Sequence, residues 1–209
     1  MRRFPTILPA ALVLFTSGAC LRSNGAYGQA ETPSKDLSIT GQITIDGREA
    51  TYRIRNLPVS SFPDLPPAVM AELDRRGCLI PQTFQAKRPE NVIHASLERP
   101  GSTDWAALCY TQDANISLLV FFASAPPENP SVVATASWIL RLAPHGPGKE
   151  YGFSWGIDPA TPKQIRDAQA AMTHRPPQPD HDAIADTVID SRTVYHLYKD
   201  GTWTNVEVR

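Results

Sequence analysis

The sequence predicts an α+β fold, a single domain with a mainly antiparallel β-sheet and two or three short helices. Short runs that alternate apolar and polar residues, separated by Gly, Asn, Asp and Pro, are typical of strands and turns. Two segments combine a helix start signal with apolar residues at helical spacing. The 20 prolines among 209 residues fix many turns and disfavour long helices.

The first predicted elements are a hairpin and a helix. The turn dipeptide Asp46-Gly47 lies between two alternating runs, LSITGQITI and EATYRIRN. In the segment DLPPAVMAELDRRG, Asp64 is the candidate N-cap, the two prolines suit the first turn, and Gly77 ends the helix. The sequence therefore predicts a helix that leads directly into Cys78.

Three strand-like runs come next and predict an antiparallel meander. They are NVIHASLER, TDWAALCYT and ISLLVFFAS, separated by the turn segments PGS and QDAN. The almost continuously apolar run 116–122 is expected at the centre of the sheet. The runs 131–143 and 150–157 are each predicted as one further strand.

The C-terminal part is predicted as a second helix and a second hairpin. The segment TPKQIRDAQAAMT has Thr161 as its N-cap and a proline at the first helical position. A proline-rich connection then leads through AIADTVIDS to a hairpin around Asp200-Gly201. Tyr195 and Trp203 are expected to pair across this hairpin.

The first thirty residues predict export from a bacterial cell. Two arginines precede a short apolar stretch that ends in small residues, which is the order of a secretory signal. A cut after Ala30 gives a signal peptide of residues 1–30 and an exported domain of residues 31–209. A cut before Cys20, in SGAC, gives a lipoprotein signal of residues 1–19 and a lipidated cysteine. Both cuts remain open, and the apolar stretch is too short to span a bilayer.

The charge balance excludes two classes of partner. The net charge is −1, and either cut removes arginines but no acidic residue, so the mature chain is more acidic still. Such a chain has no electrostatic reason to bind nucleic acid or an anionic membrane surface. Contact with a membrane is therefore expected only through an N-terminal lipid anchor.

Cys78 and Cys109 are the cysteines that remain once Cys20 is lipidated or removed. In an oxidising compartment such a pair normally forms a disulfide. Closing a loop of roughly 30 residues stabilises the fold by about 3.7 kcal/mol at most in the chain-entropy model. The alternative is a catalytic Cys109 thiol paired with His94 or His181, which the apolar surroundings WAALCY disfavour.

Several elements resemble a family of exported bacterial proteins of unknown function. They are GCLIPQ, NVIHASLERPGSTDWAALC, ISLLVFF and the C-terminal DHDAIADTVI and TVYHLYKDGTW. Members share a Cys-Ile-Pro-Gln element, a Gly-x-x-Asp-Trp-Ala turn and strand, and a terminal Gly-x-Trp hairpin. The resemblance covers most of residues 77–203. It implies export and brings no catalytic residue.

A second resemblance concerns LERPGSTDWAAL alone, which is similar to the turn and strand of an FG-GAP propeller blade. Those repeats usually cradle calcium with acidic residues, whereas the loop here is Arg99, Pro100 and Gly101. One copy cannot form a propeller, because such folds need several repeats. This resemblance therefore supports only a turn at Gly101.

One segment, DHDAIADTVID, concentrates acidic residues. It contains Asp180, His181, Asp182, Asp186 and Asp190. If the segment is helical, Asp182 and Asp186 lie one turn apart, and a hard cation such as calcium accepts their oxygens. The structural interpretation is an Asp N-cap with first-turn acids that complement the helix dipole.

Other catalytic patterns are weak. A Ser/His/Asp triad can be drawn from Ser154, His181 and Asp158, but the serine lacks a G-x-S-x-G elbow. The chain has no C-x-x-C or Cys/His zinc spacing, so neither a cofactor nor a metal ligand is predicted. Among the tryptophans, Trp105 is expected in the core, and Trp155, beside glycine and near a loop, is the best candidate for an exposed binding residue.

These observations together predict an exported envelope protein that acts as a non-enzymatic binding module without catalytic residues. The candidate binding residues are Trp155, His181, Asp182 and Asp186, and the expected partner is another envelope protein or a glycan. The alternative is a periplasmic hydrolase, with or without a metal, that uses the segment Asp180–Asp190. An enzyme places His181 and Asp182 around one concave pocket, whereas a binding module exposes an apolar patch that contains Trp155.

Overall fold

A computed structural model describes residues 37–146, 150–172, 175 and 178–208, which belong to one compact unit, Pro33–Arg209. The described chain is mostly β-sheet with two α-helices, which agrees with the predicted α+β class. The predicted signal peptide, Cys20 and both cuts lie outside the described residues. No helix in these ranges is long and apolar enough to cross a membrane.

Nine strands form the first sheet. They are β1 (Ile39–Ile45), β2 (Arg48–Pro58), β3 (Leu79–Gln82), β4 (Val92–Ala95), β5 (Asp104–Tyr110), β6 (Asn115–Phe121), β7 (Ser131–Ser137), β8 (Leu142–His145) and β9 (Glu150–Phe153). The order is β7-β6-β5-β3-β2-β9-β8, with β1 paired to β2 and β4 paired to β5. The pairs are antiparallel apart from the parallel pair of β2 and β9.

The second sheet has four antiparallel strands in sequence order. They are β10 (Trp155–Ala160), β11 (Ala183–Val188), β12 (Arg192–Lys199) and β13 (Thr202–Val208). Helix α1 (Pro67–Arg75) packs on one face of the first sheet, and the other face of that sheet packs against the second sheet. Helix α2 (Pro162–Ala168) covers the far face of the second sheet. The layers are therefore helix, sheet, sheet and helix.

Both predicted hairpin turns are present. At the turn between β1 and β2, Asp46 has a φ of 50° and Gly47 a φ of 73°. At the turn between β12 and β13, the corresponding values are 49° at Asp200 and 81° at Gly201. Two successive positive φ angles match the twist of the flanking strands, which explains the Asp-Gly preference.

Helix α1 ends as predicted but begins differently. The Gly77 N–H donates to the Asp74 carbonyl and the Cys78 N–H donates to the Leu73 carbonyl, which are the two bonds of a Schellman motif. Gly77 supplies the positive φ of 70° that this motif requires. The N-cap is Pro66, which forms no side-chain cap, so the expectation that Asp64 caps α1 is wrong.

The predicted disulfide between Cys78 and Cys109 is present, with its Cα atoms 4.9 Å apart. It joins the end of α1 to β5, and both cysteines are buried in the core between α1 and the first sheet. Because the Cys109 sulfur is bonded and buried, the alternative of a catalytic thiol at this position is wrong.

Two runs predicted as single strands are each divided. Residues 131–143 form β7, a 3-10 turn at Trp138–Arg141 and the start of β8. The run 150–157 divides at Ser154, whose N–H and hydroxyl both donate to the Arg141 carbonyl, at 2.8 and 2.7 Å. At this residue the chain passes from β9 in the first sheet to β10 in the second.

Two predictions about the second sheet are also wrong. The acidic segment is not helical, because its residues 183–188 form β11 between β10 and β12. Trp203 lies opposite Tyr198 rather than Tyr195. The two-residue turn at Asp200-Gly201 fixes this register, and it places Tyr195 opposite Val206.

Candidate functional site

Trp155 lies in the core and not at the surface. Its side chain is 0 % exposed, so the expectation of an exposed Trp155 is wrong. Strand β10 lies between the first sheet and α2, and the inner face of β10 carries Trp155 into the core between the sheets. The Arg141 guanidinium carbon lies 4.1 Å from the centroid of the indole ring.

Asp186 and His196 form a buried pair on this same inner face. The His196 Nε2 lies 3.1 Å from Asp186 Oδ2, and its Nδ1 lies 2.7 Å from Asn205 Oδ1. The two side chains of the pair are 5 % and 4 % exposed. Asp186 therefore links β11 to β12 and does not face solvent.

Asp182 and His181 also hold structural contacts. The Asp182 N–H donates to the Ser96 carbonyl at 2.9 Å, and the Asp182 carboxylate accepts from the Ser96 N–H at 3.1 Å. The His181 Nδ1 lies 2.7 Å from Asp180 Oδ1, and its Nε2 lies 2.8 Å from the Tyr198 carbonyl. These hydrogen bonds connect the start of β11 to Ser96 and to Tyr198 of β12.

The predicted site residues are therefore not brought together around a cavity. Neither His181, Asp182 nor Asp186 lines any of the cavities described below. Within the described part of the chain, no group of three or more His, Cys, Asp and Glu residues is arranged to hold a metal ion. The described contacts do not form the pocket that the hydrolase alternative requires.

A cavity of about 740 Å³ lies on the outer face of the second sheet, beside α2. A neighbouring cavity of about 630 Å³ shares Asp158 and Thr187 with it, and we call the joined space the outer groove. Its polar lining includes Asp158, Gln164, Asp167, Thr187, Thr193 and Tyr195. None of these residues was predicted as a binding residue.

The outer groove exists because some side chains on this face of the sheet are small. Asp158, Ala185 and Tyr195 stand side by side across β10, β11 and β12. The adjacent row begins with Gly156 and continues with threonines. Gly156 and Ala185 leave a depression between larger neighbours. Helix α2 covers the row beyond, where Ile165 packs, and leaves the depression open.

One wall of the outer groove is set by the capping box of α2. The Thr161 hydroxyl accepts from the Gln164 N–H, and the Gln164 side-chain oxygen accepts from the Thr161 N–H. This confirms the predicted N-cap at Thr161. Fixing the first turn places Gln164 and Asp167 along the rim of the groove.

The opposite wall is the loop Thr83–Glu90, which two buried amides hold in place. Gln82 donates to the Ile80 and Glu90 carbonyls and accepts from the Glu90 N–H. Asn91 donates to the Trp155 carbonyl at 3.1 Å and accepts from the Ile157 N–H at 3.0 Å. These bonds attach the loop to β10.

Asp158 is the acidic residue of the described outer-groove lining that lacks a partner. Among the described residues, none forms a hydrogen bond or ion pair with its carboxyl group. Although the residue is exposed, the groove walls remove water from the carboxyl, and this desolvation raises its pKa. The nearby Glu90 carboxylate raises the pKa of Asp158 further. A raised pKa in a cleft is typical of a functional group.

Sequence reasoning reached Asp158 only through a triad with Ser154 and His181, which the structure does not assemble. Ser154 is buried and its hydroxyl is bonded to the Arg141 carbonyl. A single carboxyl group forms no recognisable sequence motif. Its lack of a hydrogen-bond partner depends on which residues of β10, β11 and α2 surround it in the fold. No local signal in the sequence identifies it.

Comparison of the chain with protein-family models, with curated proteins and with solved structures finds no match. The resemblance to exported bacterial proteins therefore stays a prediction. The geometry of the outer groove is the basis for a functional proposal.

Proposed function

We propose that this protein is an exported, non-enzymatic binding module of the bacterial cell envelope, and that it holds a glycan in the outer groove. The observation that carries the proposal is the Asp158 carboxyl, which has no partner among the described residues and lines both cavities of the outer groove, of about 740 and 630 Å³. The predicted N-terminal signal and the disulfide support export.

The lining of the outer groove suits a ligand rich in hydroxyl groups. The Asp158 carboxylate accepts hydrogen bonds from hydroxyl groups, and a charged acceptor makes these bonds stronger than neutral ones. The hydroxyls of Thr187 and Thr193, 3.1 Å apart, both donate and accept. Tyr195 adds an aromatic side chain with a polar end, a type enriched at binding surfaces.

Binding is favoured over hydrolysis because Asp158 has no free catalytic partner in the groove. Acid–base hydrolysis of a glycan needs two carboxyl groups that act on the same bond. The Glu90 carboxylate already accepts from the Thr83 N–H at 2.7 Å, and the Asp167 carboxylate is paired with the Lys163 ammonium at 2.6 Å. The buried histidines His181 and His196 are bonded elsewhere. The groove therefore holds its ligand without breaking it.

A glycan is also favoured over a protein partner. A protein interface normally has an apolar centre. The exposed large apolar side chains of the described chain are Val132, Ile139 and Leu140, and none of them lines the outer groove. The polar lining of the groove matches the chemistry of a sugar chain more closely.

The test is a calorimetric titration of purified residues 31–209 with soluble glycan strands released from a bacterial cell wall. Asp158→Asn keeps the shape but removes the charge, so we expect affinity to fall about tenfold. Asp74→Asn, which removes an exposed carboxylate on α1, is the matched control and is expected to bind like wild type. Absence of wild-type binding, or equal binding by Asp158→Asn, contradicts the proposal.

A second variant narrows the groove without changing its charge. A Cβ atom at Gly156 lies at an ordinary contact distance, 3.6 Å from Thr83 Cγ2. Gly156→Ala is therefore expected to fold normally and to weaken glycan binding by filling the depression. Unfolding temperature, measured in parallel, separates this effect from a loss of structure.

A further inference from the structure

A second cavity, of about 340 Å³, lies on the outer face of the first sheet. The apolar core under α1 draws on β2, β3, β5 and β6, and the cavity lies beyond it, beside β8 and β9. Its lining includes Arg53, Arg55, Gln82, Phe84, His145 and Glu150. We call it the arginine cavity.

The side chains that line the arginine cavity are held in place by contacts within the protein. The rings of Phe84 and His145 stack with centroids 4.7 Å apart and planes 5° apart. They lie over Gly152, where an added Cβ atom approaches the Phe84 Cβ to 2.6 Å. Gln82 lies opposite Arg55 in the pair of β2 and β3, and hydrogen bonds to backbone groups hold its amide. The cavity is therefore shaped before any ligand binds.

Arg55 brings an unpaired positive charge to this cavity. Its Nε is buried and has no hydrogen-bond partner. Among the residues that the structure describes, none forms an ion pair with its guanidinium group. Its neighbour Arg53 differs, because Arg53 donates to the Ser38 hydroxyl at 3.2 and 3.3 Å. An unpaired buried donor is costly, and a bound acceptor removes that cost.

The charges around Arg55 favour an anion. Arg53 and Arg55 bring two positive charges to the lining, Glu150 is the acidic residue among the described lining, and His145 adds an imidazole ring. A guanidinium matches the geometry of a carboxylate or a phosphate, with two parallel N–H donors for two oxygens. We infer that the arginine cavity is an anion-binding site in which Arg55 holds a phosphate or carboxylate group. The inference does not rest on glycan binding in the outer groove, although the linings of the two cavities share Thr83 and Ala86.

The experiment titrates inorganic phosphate and acetate separately into residues 31–209 at constant ionic strength. The readout is the NMR signal of the Arg55 side-chain Nε–H together with the backbone amides. We expect a saturable shift of this Nε–H with phosphate, acetate or both, and the stronger of the two identifies the preferred anion. A shift that grows linearly without saturation, or no shift with either anion, overturns the inference.

Substitutions distinguish a specific anion-binding site at Arg55 from a nonspecific attraction of anions to positive charge. Arg55→Gln is expected to weaken anion binding, read from the backbone amides of β2, by about tenfold or more. Arg48→Gln, which removes an exposed arginine at the start of the same strand, is the matched control and is expected to bind like wild type. Equal weakening by the two substitutions overturns the inference.

Glu150→Gln is a substitution that is expected to strengthen anion binding, whereas Arg55→Gln is expected to weaken it. It removes the acidic charge from the described lining without shortening the side chain, so we expect tighter anion binding by a few-fold. Weaker binding by Glu150→Gln contradicts the arrangement proposed here. The unchanged amide spectrum of the free variant shows that it folds.

Discussion

The two faces of the second sheet use their polar side chains in opposite ways. On the inner face, Asp186 and His196 are buried and bonded to each other, and Asn205 bonds the other nitrogen of the imidazole ring. On the outer face, Asp158 lies in an open groove, has a raised pKa and lacks a hydrogen-bond partner among the described residues.

What covers each face explains the difference. The inner face packs against the nine-stranded sheet, so a polar group there must find a partner. The outer face is covered by α2, a helix of only 7 residues, which leaves room for a ligand. Substitutions on the inner face should therefore change stability, and substitutions on the outer face should change affinity.

The largest effect on stability is expected from the inner face. Asp186→Ala leaves the His196 ring nitrogen buried without its partner and removes the carboxylate that acts on the partly buried Arg141 cation, and leaving a buried charge without its partner costs about 3 to 5 kcal/mol. The measurement is the free energy of unfolding in urea. Glu49→Ala, at an exposed position on β2, is the control and is expected to change this energy by less than about 0.5 kcal/mol. A loss below about 1 kcal/mol for Asp186→Ala contradicts a structural role for the pair.

The next effect comes from the disulfide, which lies in the core under α1 and not in the second sheet. Replacing Cys78 and Cys109 together by serine is expected to cost about 2 to 4 kcal/mol of unfolding free energy. Glycan affinity of the folded variant should stay at the wild-type value. Reductant should destabilise the wild type and leave the variant unchanged, and a fall in affinity without unfolding would link this core to the groove.

A smaller effect on stability is expected from two carboxyl groups, Glu72 and Asp158, whose pKa values are shifted in opposite directions. A side-chain hydrogen bond from Arg75, at 2.7 Å, is the main cause that lowers the pKa of Glu72 from 4.5 to about 2, and Arg76 adds to it. Ionised Glu72 therefore stabilises the fold above pH 4.5, and this contribution is lost as the pH falls toward 2. Burial and Glu90 raise the pKa of Asp158 above 3.8, so its ionisation costs stability as the pH rises through that raised value.

Urea midpoints measured between pH 2 and pH 7 test this contrast. Glu72→Gln is expected to lower stability at pH 7 and to flatten the acid decline. Asp158→Asn is expected to leave stability at pH 7 unchanged or slightly higher, because no ionised carboxyl then remains desolvated. A clear loss of stability in Asp158→Asn shows that this carboxyl has a structural partner and removes the contrast between the two faces.

The features that the sequence predicted correctly are those set by neighbouring residues. The two Asp-Gly turns, the helix end at Gly77 and the N-cap at Thr161 each depend on backbone angles or on bonds within a few residues. The disulfide was predicted for a different reason, because the compartment and the cysteine count left one pairing.

The features that sequence reasoning missed depend on how the sheets and helices pack against one another. Strand β10 alternates between two faces, and its sequence does not tell which face meets the first sheet, so the sequence predicts an exposed Trp155 and indicates Asp158 only as a member of a triad. The change of sheet at Ser154 depends on bonds to Arg141, thirteen residues away. The outer groove combines β10, β11, β12, α2 and the loop Thr83–Glu90, whose spacing in the sequence forms no motif.

The most direct test of the difference between the two faces is an NMR titration of isotopically labelled residues 31–209 with soluble glycan strands from a bacterial cell wall. We predict that the shifted amides cluster along the outer groove, at Gly156, Asp158, Thr187, Thr193 and Tyr195, while those of Asp186 and His196 change little. Shifts that cluster outside the outer groove, or a spectrum that does not change, would contradict the assignment of the outer groove as the binding face.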